Sequence, residues 1–223
     1  MKHILLMKTA LTGFNTVAVA AAVQMQENAN RFRPEALEAA NAPLRAGVQE
    51  AHLAAQEIIE SAHAAALAAV DAWAQITPEK LDAQTMALLS AGLPMTAADF
   101  RRLILRFEDS HTMLSAITAE AEKRGLLFQC GYIPAPEDKR HVYDKFFHSA
   151  LSMLDTIAEH TGISENLIAG FADPSHLTDP RFIAVLQGLS ATQPGTVEAV
   201  EDPAPAADFG FKFRHAAPNP TRW

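Results

Sequence analysis

The sequence predicts a mainly α-helical protein: elongated or bundled helices that include a long alanine-rich helix, then a compact C-terminal helical region and a flexible tail. Three observations carry that expectation. Alanine, the strongest helix former because it loses no side-chain entropy, makes up roughly a fifth of the 223 residues. Apolar residues recur at alternating spacings of three and four, the repeat of one helix face. Aromatics reach only 7%, so much of the buried area comes from small side chains that reward close helix–helix approach.

Residues 1–30 open with a basic start, an apolar stretch and small residues around Ala20 to Ala22, features shared with signal peptides. Lys8 interrupts the first apolar run, and Thr9, Thr12, Gly13, Asn15 and Thr16 dilute the second, so no run approaches the ~20 apolar residues of a membrane span. The expectation is a structural helix or pairing segment, with a cleaved signal as the alternative.

Residues 31–76 form the long alanine-rich region. Leu44, Val48, Ala51, Ala55, Ile58, Ala62, Ala66, Ala69, Trp73 and Ile76 trace one narrow seam, while Gln49, Glu50, Gln56, Glu57 and Glu60 lie mainly off it. Such a seam suits close pairing with another helix, within this chain or in another copy. Leu44, Val48, Ile58, Ala62, Trp73 and Ile76 are the candidate self-association residues.

Residues 77–190 read as a compact helical domain. Thr77-Pro78-Glu79 restarts a helix, since threonine caps and proline is tolerated at the first position; Gly92 ends it. Thr96 with Asp99 three residues on makes a near capping box ahead of Phe100, Leu103, Ile104 and Phe107. Ser110 or Thr112 caps a second helix through Met113, Leu114, Ile117 and Ala121, with Gly125 as its stop. Residues 126–136 are the best strand or extended-loop candidate. A strong helix then carries Val142, Phe146, Phe147, Ala150, Leu151, Leu154 and Ile157 to Gly162, and short helices start at Ser164 and Asp179-Pro180.

Residues 191–208 are an acidic Pro/Ala-rich linker. The basic aromatic tail, residues 209–223, alternates Phe209, Phe211 and Phe213 with Gly210, Lys212 and Arg214, a strand-like pattern suited to adding an edge to a partner's sheet or filling a partner's groove, with folding back over its own helices as the alternative. Phe209, Phe211, Lys212, Phe213 and Arg214 are the candidate partner-binding residues.

Chemistry-bearing motifs are sparse. The net charge of −8 argues against generic nucleic-acid binding. Arg101, Arg102 and Arg106 would be the contacts if residues 96–125 acted as a helix-turn-helix, the alternative reading of the chain as a nucleic-acid-binding regulator. His141, Asp144 and His148 share a helix face, extended by Asp155, but no recognised metal spacing accompanies them. His52 and His63 stand eleven apart in the alanine-rich region. Cys130, the single cysteine, lacks a nucleophile signature, and no phosphate-binding or hydrolase motif occurs. No catalytic residue, metal, cofactor, small-molecule substrate or membrane partner is expected.

Leu88 to Leu126 resembles helical structural proteins of prophage head-gene clusters, on Leu93, Thr96, Asp99, Phe100, Phe107, Thr112 and Met113. The resemblance implies a virion-assembly role, as a scaffolding-like or head-associated protein in a bacterial host's cytoplasm or in the virion. It also implies a partner such as a coat protein, engaged by the basic tail.

Overall fold

The computed structural model describes residues 2–131, 133 and 135–171. Among these the fold is all-α, with seven α-helices and no strand. The helices are α1 (Lys2–Arg31), α2 (Pro34–Ala74), α3 (Ala83–Ser90), α4 (Ala97–Arg106), α5 (His111–Lys123), α6 (Pro136–His160) and α7 (Glu165–Gly170). The linker and tail, and the helix expected from Asp179-Pro180, lie outside the described residues.

Two cores organise the chain. The larger belongs to α1, α2, α6 and α7, with Ile4, Leu11, Phe14, Ile59, Val142, Leu154 and Ile157 buried together among many alanines. The smaller belongs to α3, α4 and α5, where Leu89, Phe100, Ile104, Met113 and Ile117 meet. Residues 75–135 are thus a second lobe inserted between α2 and α6, and α6 packs with the N-terminal helices rather than with its sequence neighbours.

The two-residue turn Phe32-Arg33 and Pro34 at the first position of α2 fold α1 and α2 into an antiparallel hairpin. At its closed end two buried carboxamides meet, Asn28 Nδ2 donating to Asn41 Oδ1 at 2.9 Å. A buried polar pair satisfied only in one alignment fixes the register of two helices whose alanines would tolerate several. α2 runs through Pro43, which has no N–H to give the Ala39 carbonyl; Ala39 is exposed, so that carbonyl faces solvent rather than the core. The buried stripe of α2 is Leu44, Ala51, Ala55, Ile59, Ala62, Ala66 and Val70, rotated slightly from the expected seam, so Ile59 and Val70 face inward while Ile58 and Ala69 do not.

α6 lies antiparallel to α2 and begins with Asp138 Oδ2 accepting from the Ala135 N–H at 2.9 Å. Its end is a left-handed turn: Thr161 has φ 55°, Gly162 φ 118°, and the Gly162 N–H donates back to the Ile157 carbonyl. Gly162 presses on α1, where a Cβ would stand 2.4 Å from Val19 Cγ2. Asn15 completes the junction, donating to the Ile163 carbonyl at 3.2 Å and accepting from the Ile163 N–H at 2.8 Å. Lys8 Nζ then donates to the Ala169 carbonyl at 2.9 Å, at the end of α7.

The inserted lobe follows local signals. Asp82 caps α3, Thr96 and Asp99 form a full capping box on α4, and Ser110 caps α5. Residues 126–136, expected as a strand or extended loop, instead include a single 3₁₀ turn, Leu127–Gln129, because Leu126 and Leu127 pack sideways on the small core. Arg124 reaches across the lobe to the carbonyls of Leu93 and Leu89, at 2.6 and 3.3 Å, and pairs with Glu120.

Candidate interaction surfaces

The candidate self-association residues occupy different environments. Leu44 and Ala62 are buried within the chain, Val48 packs against the larger core, and Trp73 packs against the smaller one. Ile58 and Ile76 are exposed, Ile76 beyond the end of α2. The candidate partner-binding residues Phe209, Phe211, Lys212, Phe213 and Arg214 lie outside the described residues.

Arg101, Arg102 and Arg106 are on the exposed face of α4. Arg102 stands 3.7 Å from Asp99, and Arg106 sits over the Phe107 ring. The N-terminal turn of α5, which would enter a DNA groove in a helix-turn-helix, is instead buried. Thr112 Oγ1 accepts from the Thr77 N–H at 3.1 Å and faces the Gln75 carbonyl, and Met113 and Leu114 enter the core.

The His141, Asp144 and His148 face is divided. His63 Nε2 meets Asp144 Oδ1 at 2.8 Å, and the His63 ring stacks on Phe147 with centroids 4.2 Å apart. His52 Nε2 stands 3.7 Å from Asp155 Oδ1. Histidines eleven apart on α2 therefore face aspartates eleven apart on the antiparallel α6, three helical turns on each side. These two pairs and the Arg140–Asp71 ion pair lie along the same interface, while His141 and His148 stay exposed. Among the described residues no group of three metal-ligating side chains converges. The paired elevens were visible in the sequence; their facing was not, because it depends on the antiparallel crossing.

Where the lobes meet, Lys139 Nζ lies 3.5 Å from the centroid of Trp73, and His111 tilts against the same indole at 4.8 Å. Burial pulls the Lys139 ammonium down to about 8, against the pull of Asp109 and Glu108. Burial, helped by Lys139, also holds His111 below the usual imidazole range. Trp73 Nε1 is buried with no hydrogen-bond partner among the described residues. An open groove of about 330 Å³ adjoins, lined by His111, Ser115, Thr118, Glu122 and Ile133 among others. Ser115 Oγ stands 3.5 Å from His111 Nε2, at the outer limit of a hydrogen bond. Burial pushes the Cys130 thiol up, opposed by Arg101, and the thiol donates to the Leu126 carbonyl, so it is a buried hydrophobe with little thiolate character.

What the surface offers in quantity is apolar area. Phe128 is 99% exposed and Leu105 70%, both on the inserted lobe, where Leu93 is half exposed. On the larger lobe, Leu5, Leu6, Val19 and Val23 of α1 and Leu53 of α2 are exposed. A second cleft, about 470 Å³, opens between α1, α2 and α6, with Ala18, Met25, Val48 and Ala158 below Arg45, Gln49 and His52. No family model matches the chain, and neither a curated protein nor a solved structure matches it, so the surfaces themselves are the guide to what it does.

Proposed function

We propose that the chain is a non-enzymatic, self-associating structural protein, an assembly factor of the scaffolding-like or head-associated kind in phage virion morphogenesis. It docks a partner such as a coat protein through its C-terminal tail. The observation that carries this reading is the exposed apolar area on both lobes, headed by Phe128 and Leu105 and continued on α1. Apolar side chains that recur along one exposed face, as Leu5, Val19 and Val23 do on α1, mark a contact surface, whereas those that stand singly are ordinary protein surface. The alanine-rich bundle supports the same reading: helices packed through small side chains present long faces on which weak contacts are multiplied by copy number.

The test is light scattering behind a sizing column on the full chain and on a chain truncated after Asp208. The expected result is an oligomer in both, with co-sedimentation of assembled coat protein only by the full chain. A monomer in both forms over the accessible concentration range would overturn self-association. Equal coat binding by both forms would overturn the role of the tail.

A further inference from the structure

The outward face of α1 carries a second periodicity that the other described residues leave largely uncovered. Leu5, Thr9, Thr12, Thr16, Val19 and Val23 are spaced four, three, four, three, four, and all are exposed, Val19 also touching Gly162 on its inner side. This is the heptad spacing of a helix seam, about 27 Å long at 1.5 Å per residue. α1 already buries a different stripe, Ile4, Met7, Leu11, Phe14 and Ala18, in the core, so the outer stripe is surplus to the fold.

The threonines do not make this stripe polar. Thr9, Thr12 and Thr16 each donate their hydroxyl to the carbonyl four residues back, of Leu5, Lys8 and Thr12, all at 3.0 Å. A hydroxyl satisfied by its own helix needs no water partner, so a neighbouring helix can cover it without leaving a buried donor unmet. No charged residue occurs between Lys8 and Glu27. The side chains are small at the centre, beside Gly13, and larger at the ends, a profile that permits close approach of a second backbone.

We infer that α1 pairs antiparallel with α1 of a second copy, through Leu5, Thr9, Thr12, Thr16, Val19 and Val23. The inference rests on the self-association reading and names its surface. The heptad requires a helical occupant of matching period, which this same face of a second copy supplies. Charge selects the direction. Lys2 and Glu27 fall at opposite ends of the stripe, Glu27 with Arg31 at 3.8 Å. Antiparallel pairing about a two-fold axis sets Leu5 against Val23, Thr9 against Val19, Thr12 against Thr16, and each Lys2 near the partner's Glu27. Parallel pairing would set lysine against lysine at one end and two Glu27–Arg31 pairs side by side at the other, with no ion pair across the seam. A two-fold contact of this kind is self-complementary and closes at a dimer. Lys8 and the polar residues among 9–16 argue against a span, yet by length and composition α1 is apolar enough to cross a membrane; 44% of that stretch is buried against the rest of the chain, and a lipid surface is the competing occupant.

The test uses the full chain and Thr12→Lys, which places two ammonium groups beside the axis, with Val23→Lys as a second disruption away from it. Circular dichroism establishes that each variant keeps its helicity. The expected result is a light-scattering mass that halves from dimer to monomer in both variants. Mild oxidation should cross-link a chain carrying both Leu5→Cys and Val23→Cys, and leave each single variant uncross-linked. Three results would overturn the inference. If the variants keep the wild-type oligomer, self-association stands but uses another surface. If the wild type is monomeric at every concentration, the self-association reading falls with it. If the wild type is monomeric and binds anionic vesicles through Thr12 and Val23, the face belongs to a membrane.

Discussion

Removing the carboxamide of Asn15 would leave both backbone groups of the half-buried Ile163 without their partner. Fully buried unmet groups cost about 1–3 kcal/mol and half-buried ones less, so Asn15→Leu should lower stability by roughly 1 kcal/mol. Hydrogen exchange would report it directly, with the Ile163 amide losing protection ahead of the core. Gly162, one residue earlier, combines φ 118° with the close Val19 methyl. Gly162→Ala should destabilise by about 1–3 kcal/mol. Adding Val19→Ala should recover only the steric share, because the backbone penalty stays; thermal melts of the single and double variants separate the two. Neither role could be read from the sequence. A lone asparagine in an apolar helix and a glycine after a helix are both ordinary until the fold brings residues 148 positions apart together.

At the scale of elements, the helices with local instructions were the legible ones. Thr96 with Asp99, Ser110, Pro136 and the glycines at 92, 125 and 162 each act within a few residues, and the helix boundaries fall beside them. Thr96→Ala should cost about 1 kcal/mol by removing the α4 cap. Loss of amide protection confined to the first turn of α4 would verify that the cap acts locally. The capping carboxylates give the same helices an acid sensitivity. Hydrogen bonds from Thr96 hold Asp99 below the usual carboxylate range, and those from Thr85 do the same for Asp82. Their contribution is present above the ordinary carboxylate range and is lost as pH falls through the lowered values. The alanine-rich α2 was legible as a helix but not in its rotation. Ile58 and Ile59 are adjacent and equally apolar, and the alanines around them supply little area to decide which faces inward. The choice belongs to α1 and α6, which bury Ile59. The 3₁₀ turn at Leu127–Gln129 escaped for a similar reason: a short apolar run with glycine and proline does not distinguish a strand from a loop anchored on a core.

The whole molecule joins its two lobes through Trp73, Lys139 and His111, and that joint should give stability a basic-side pH dependence. Lys139 is lowered to about 8 in the fold from 10.5, so the unfolded chain binds more protons between those values. Stability therefore rises as pH climbs from about 8 towards 10, and the penalty for the charged form is fully present below that window. His111, also lowered, has the same sign at lower pH: its share is lost as acid protonates it in the fold. Urea denaturation from pH 7 to 10 should show the rise in the wild type and a smaller one in Lys139→Met. An equal rise in both would assign the effect to other groups.

The insertion of residues 75–135 between α2 and α6 also sets an order of events during folding. The α1–α2 hairpin closes over two residues and can form at once, whereas α6 must return to α2 across the whole of that insertion. Loop-closure entropy grows only as about (3/2)RT ln n, but a lobe that has already collapsed brings its two ends together and shortens the search. The expected consequence is that the capped helices α3 to α5 close early, as a clasp that delivers α6 to the hairpin, which stopped-flow refolding of core variants would check. Mutations that loosen the small core should slow folding of the large one, while those at the α6–α7 turn should chiefly speed unfolding.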